Sequence, residues 1–111
     1  MRHYKADVGN EGEFASVAAK IRADIGEPSI VVNNAGVTIG RKIIDTPADA
    51  MLRVIKVNTF AHMYSARLFL PHMVKISHGH VVTIASSASY VRGLLKSYNG
   101  AKPTCLLYPN R

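Results

Sequence analysis

An α/β domain built on a parallel sheet is what these 111 residues predict, and three observations predict it. Two short apolar runs, Ile30-Val31-Val32 and Val81-Val82-Thr83-Ile84-Ala85, stop abruptly in small polar residues. Stretches with helical spacing lie before and between them. The order strand, helix, strand takes a right-handed crossover, which makes the strands parallel. Apolar β-branched runs of this length suit strands covered on both faces.

Taken in order, residues 2–8 read as a first short strand running into Asp7, followed by a turn at Gly9-Asn10. From Glu11, Phe14, Val17, Ala18, Ile21 and Ile25 recur at helical spacing, and Gly26 with Pro28 stops the pattern as a C-terminal cap would. The strand Ile30–Val32 ends in Asn33-Asn34-Ala35-Gly36. Asparagines there can hydrogen-bond local backbone, and Ala35 and Gly36 leave room for a ligand to approach the main chain. Thr46 then suits an N-cap and Pro47 a first helical position. The helix that follows carries Met51, Leu52, Val54, Ile55, Val57, Met63, Tyr64, Leu68 and Phe69, too many for one narrow stripe, so neighbours or a partner subunit must cover much of it. Pro71 is expected to kink or end it. Ser77-His78-Gly79-His80 turns the chain into the strand Val81–Ala85, which ends in Ser86-Ser87. A second helix start follows near Leu94–Lys102, and the tail after it has no clear period.

Composition bounds the rest. The chain is one domain at most; 48% of its residues are hydrophobic and 19% charged, as in an ordinary globular protein. Its formal charge of +7 comes from 14 basic and 7 acidic residues, but the basic residues are scattered without runs, which disfavours a nucleic-acid partner. No run reaches the ~18 apolar residues of a membrane span. Cys105 is the only cysteine, so no internal disulfide forms and a reducing, intracellular setting, cytoplasmic or peripherally membrane-associated, is favoured over secretion.

Two strand ends and a helix start present polar residues toward one region: Asn33 and Asn34, Ser86 and Ser87, Tyr98 and Lys102, with Asn58 nearby. Tyrosine and lysine four apart share one helix face, where an ammonium favours phenolate and suits the tyrosine to general acid/base work. A serine hydroxyl can orient a carbonyl oxygen for that proton. The chemistry that fits is hydride transfer coupled to proton transfer at one carbonyl. Plainer roles exist for every position: a turn cap for Asp7, a polar bend for Asn58, turn residues for Ser86 and Ser87, and an exposed pair for Tyr98 and Lys102. His72, His78 and His80 lack a carboxylate or cysteine at ligand spacing and read as a solvated corner, with no metal.

In order, Asn33-Asn34-Ala35-Gly36, Asn58, Ser86 and Tyr98-x-x-x-Lys102 resemble the motifs of the short-chain dehydrogenase/reductase family, and the run from Gly79 to Ala88 with the Pro71-His72-Met73 corner resembles its retinol or 17β-hydroxysteroid dehydrogenase branch. The resemblance implies a partial doubly wound (Rossmann-like) parallel sheet lacking the first two strands and the C-terminal part. Residues 1–102 would form a partial NAD(P)-binding domain and 103–111 a divergent tail. The cofactor would be NAD or NADP and the substrate a carbonyl or alcohol, such as a retinoid, steroid or other lipophilic molecule, with a homo-oligomer through the long helix 47–70. By the same resemblance, Asp7 and Val8 would border the adenine, and Asn34, Ala35 and Gly36 would line the nucleotide. Asn58 would hold a water in a proton relay, and Ser86, with Ser87 as the alternative, would position the carbonyl. Tyr98 would be the acid/base, and Lys102 would bind the nicotinamide ribose.

Three departures accompany the matches. No glycine-rich turn of the kind that holds a pyrophosphate at a helix N-terminus occurs. With two strands of the family's order absent, a gap of roughly 10 Å or more is expected between residues 2–8 and the strand at Ile30. Pro103 disfavours helical geometry at Lys102. The chain is therefore expected to be part of a nicotinamide-dependent oxidoreductase, or a catalytically inactive remnant of one that docks on other chains.

Overall fold

The computed structural model describes residues 1–40 and 42–86. Its elements are α1 (Glu11–Ile25), β1 (Ile30–Asn33), a 3-10 turn (Ile43–Asp45), α2 (Ala48–Ile55), a π-helical turn (Lys56–Phe60), α3 (Ala61–Lys75) and β2 (His80–Thr83).

The N-terminus of α1 is fixed by side chains. Asn10 Oδ1 accepts the Glu13 N–H at 3.1 Å, and the Glu13 carboxylate reaches back to accept the Asp7 N–H at 3.0 Å, so two donors at the helix entry are satisfied. Gly26 ends the helix at φ 87°, its N–H bonded to the Arg22 carbonyl. Ala18 is fully buried, Phe14, Val17 and Ile21 are half-buried, and Ile25 is exposed. The buried stripe thus stops one turn earlier than the spacing predicts.

β1 and β2 pair in parallel with Ile30 opposite His80 and Asn33 opposite Thr83. Val31 and Val81 pack against a core of Ala18, Phe69 and Met73. Among the described residues the predicted cover on both faces is found on one only: Ile30 (61%), Val32 (54%), Val82 (43%) and Ile84 (42%) are exposed on the other. α1 and α3 both lie on the covered face, packed against each other through Ala18, Phe69 and Met73.

Residues 2–8 do not form the predicted strand. A strand exists only through its ladder, and among the described residues β1 pairs with β2 alone. The segment instead runs back along α1, where Tyr4 donates to the Asp24 carboxylate at 2.9 Å and Arg2 lies 3.5 Å from it. Nor is Thr46 the N-cap. Its hydroxyl donates backward to the Lys42 carbonyl at 2.8 Å, closing the 3-10 turn, and α2 begins at Ala48 behind Pro47.

The predicted long helix runs from Ala48 to Lys75 with a π turn inside it. Pro71 lies within α3 and does not end it. The end comes at Ile76, where the His78 N–H bonds the Met73 carbonyl and the Ser77 N–H bonds the Val74 carbonyl. That pattern is a Schellman motif with Ser77, at φ 51°, in its left-handed position. β2 is shorter than predicted, stopping at Thr83 because β1 ends at Asn33; the Ile84 N–H makes the last rung to the Asn33 carbonyl at 3.0 Å.

Candidate functional site

The carboxyl ends of parallel strands are where open α/β sheets bind ligands. Here Asn34, Ala35 and Gly36 leave β1 with their surfaces exposed, and half-buried Ser86 follows the adjacent β2 by three residues. Asn58 reaches the same region from the π turn. It is fully buried, its Oδ1 accepting the Val37 N–H and its Nδ2 donating to the Val37 carbonyl, each at 2.8 Å. This two-point clamp fixes the loop that follows Gly36. It occupies one of the amide's two N–H donors and one acceptor direction, leaving one N–H and one lone pair for any other partner. A π turn at such a place is a common mark of a functional segment, since the extra residue re-aims one side chain without ending the helix.

Asp7 does in this structure what the plainer reading expects: its carboxylate accepts the Gly9 N–H at 2.9 Å and its carbonyl accepts the Asn10 N–H. It also lies on a cleft of about 540 Å³ shared with Gly9, Asn10, Leu52, Lys56 and Val57. The segment before α1 and the helix bearing Asn58 are therefore neighbours. Gly9 is where they touch, because a Cβ there would meet both Asp7 Oδ1 and Val57 Cγ2 at 3.2 Å. Val8 is half-buried beside it.

Sequence reasoning missed three contributors, Gly9, Val37 and Val57. Gly9 had a signal, a glycine two residues after a turn-forming aspartate. Val37 had none, since its part is played by backbone. Ser87, Tyr98, Lys102 and the tail 103–111 lie outside the described residues, so the geometry of Tyr98 to Ser86 does too. Among the described residues, no group of three or more His, Cys, Asp or Glu could hold a metal ion. No helix among them is long and apolar enough to cross a membrane.

A family model for short chain dehydrogenases matches residues 1–105. The chain is 38% identical over 107 residues to Dehydrogenase RED3 of Cochliobolus heterostrophus, covering 96% of this chain and 55% of that protein. It is 42% identical over 84 residues to retinol dehydrogenase 10 of Homo sapiens and 40% identical over 88 residues to estradiol 17-beta-dehydrogenase 11 of Pongo abelii. Of those two proteins it spans 25% and 29% of the length. Among solved structures it superposes on a short-chain dehydrogenase from Streptomyces avermitilis with TM-score 0.82 at 26% identity, covering 89% of this chain and 37% of that one. A metagenomic short-chain oxidoreductase in complex with NADP gives TM-score 0.84 at 26% identity, with 91% of this chain and 47% of that one covered. The motifs, the parallel strand pair with its one-sided helices and these matches agree, and the chain belongs to the short-chain dehydrogenase family.

Proposed function

We propose that this chain carries the central part of an NAD(P)-dependent oxidoreductase acting between a carbonyl and an alcohol, and that the 111 residues alone do not turn over. The observation that carries the reading is the Asn58 clamp on Val37, which holds the exposed Asn34-Ala35-Gly36 segment at the mouth of a parallel strand pair. The small side chains of Ala35 and Gly36 suit the close approach of a flat nucleotide, and the Asp7 carboxylate on the nearby cleft suits an exocyclic amine. The bound nicotinamide would supply the hydride. The chain's own residues would handle the proton. Tyr98 would donate it to the carbonyl oxygen, Ser86 would orient that oxygen, and Lys102 would favour the phenolate left behind. Asn58 keeps one N–H for a relay water. Lipophilic substrates such as retinoids or steroids are the first to try, given the names of the relatives.

Silence of the isolated chain follows from its open sheet face and from the missing glycine-rich turn. Exposed Met63 and Val74, which flank a groove of about 450 Å³ along α3, support self-association through the long helix; sedimentation at rising concentration checks it. For the main proposal, the purified chain is titrated with NADH and NADPH by fluorescence and assayed with all-trans-retinal and a 17-keto steroid. Weak cofactor binding without turnover is expected. Turnover by the chain alone would overturn its inactivity, and failure of both cofactors to bind even at millimolar levels would overturn the reading of Asn34-Ala35-Gly36 as a nucleotide floor in this chain.

A further inference from the structure

Gly9 is buried where two functional segments meet. On one side its N–H donates to the Asp7 carboxylate at 2.9 Å, so the acid on the cleft is held by the backbone of residue 9. On the other side it seats against the first two residues of the π turn. A Cβ built at Gly9 would stand 3.2 Å from Asp7 Oδ1, 3.2 Å from Val57 Cγ2 and 3.4 Å from Lys56 Cβ, and the two shorter contacts oblige a neighbour to move aside by a few tenths of an ångström. Neither neighbour moves freely. Val57 is buried, and a β-branched side chain inside a helix is stiff at χ1. The Asp7 carboxylate can turn away only by leaving the Gly9 N–H. The push is therefore shared with the π turn behind Val57, in which the Ala61 N–H reaches back to the Lys56 carbonyl and Asn58 fixes both polar groups of Val37. One close contact thus ties the Asp7 carboxylate to the clamp that holds Asn34-Ala35-Gly36.

We infer that Gly9 is a positioning residue. Having no side chain, it lets the turn that carries Asp7 sit directly on the π turn that carries Asn58. It so sets the distance between the carboxylate offered to an exocyclic amine and the clamped floor offered to the rest of the nucleotide. A ligand that spans both places gains its full affinity only when both are in register. Any larger residue at position 9 widens the separation or turns Asp7 aside. Gly12, three residues on, has no such part: among the described residues a Cβ there would meet only Asn10 Oδ1, at an ordinary 3.6 Å. This role rests on the reading of Asp7 and Asn34-Ala35-Gly36 as nucleotide contacts, and one arm of its test needs no ligand.

The isotope-labelled 111-residue chain is compared with Gly9→Ala, with Gly12→Ala, and with Gly9→Ala combined with Val57→Ala, which removes the γ-methyl that the new methyl would strike. Gly9→Ala is expected to move the Asn58 side-chain amide and Val37 backbone N–H resonances and to weaken NADH and NADPH binding, read by fluorescence, about threefold to tenfold. The combined variant should return both readouts toward the parent, and Gly12→Ala should leave both as they are. Far-UV circular dichroism checks that each variant keeps the parent's helix content; should Gly9→Ala lose it, the combined variant must restore it together with the parent's affinity. Clamp resonances that stay in place in Gly9→Ala, an affinity that does not fall when they move, an equal fall in Gly12→Ala, or a combined variant that recovers nothing would each overturn the role of Gly9. A parent that binds neither cofactor overturns the nucleotide floor itself, and the resonances then decide the contact alone.

Discussion

Asn58 joins two segments 21 positions apart in sequence, and both of its bonds end on one backbone unit. Truncation to alanine strips Val37 of a donor and an acceptor partner at once, so Asn58→Ala should cost about 2–4 kcal/mol in urea unfolding. Asn58→Asp separates the two bonds. Its carboxylate can still accept the Val37 N–H but repels the Val37 carbonyl, whereas the protonated acid can donate to that carbonyl. The neutral form is favoured in the fold, which raises the new group's folded pKa above its unfolded value. The variant should therefore be most stable in acid and lose stability as pH rises through about 4 and beyond, a slope the parent lacks at this position. Two neighbouring turn residues make opposite predictions. Ser77 occupies a left-handed position that glycine prefers, and Ser77→Gly should raise stability by about 1 kcal/mol. Gly79 sits at φ 151° with Met73 pressed against the space a Cβ would fill, and Gly79→Ala should lower stability by about 1–3 kcal/mol.

Helix α1 was the most legible element, because its start and stop are written in side chains that act locally. Asn10→Ala removes its cap and should cost about 1 kcal/mol, read as a lower thermal midpoint. The start of α2 was legible only to within a turn. Thr46 has the right chemistry for a cap, but a carbonyl four residues back competes for its hydroxyl and wins. Pro71 was expected to interrupt α3, yet packing of Phe69 and Met73 on either side of it against α1 holds the helix together to Lys75. Between α1 and α3, Arg22 donates to the Leu68 carbonyl, pairs with Glu27 at 2.8 Å and lies 5.3 Å over the Phe69 ring. No periodicity announces such a residue, since an arginine on a helix normally reads as solvent-facing. Arg22→Ala should separate the two helices' ends and lower stability by about 1–2 kcal/mol.

The parallel pairing of the two strands followed from pattern alone, and so did the placing of Asn34 and Ser86 just beyond their carboxyl ends. What pattern could not give was which face stays open, because apolar alternation is blind to how many layers arrive. The exposed Ile30, Val32, Val82 and Ile84 should make the isolated chain bind a hydrophobic dye such as ANS at neutral pH while keeping its helical far-UV signal. A dye-silent chain would mean that the face is covered in solution. The π turn from Lys56 to Phe60 has a further meaning for how this molecule tolerates change. One surplus residue sets the angular phase between α2 and α3, and deleting any one of those five would rotate everything downstream by about 100°. Phe69 and Met73 would then swing off α1 even though no side chain had been altered. Evolution or an engineer can replace letters there, but cannot shorten the word.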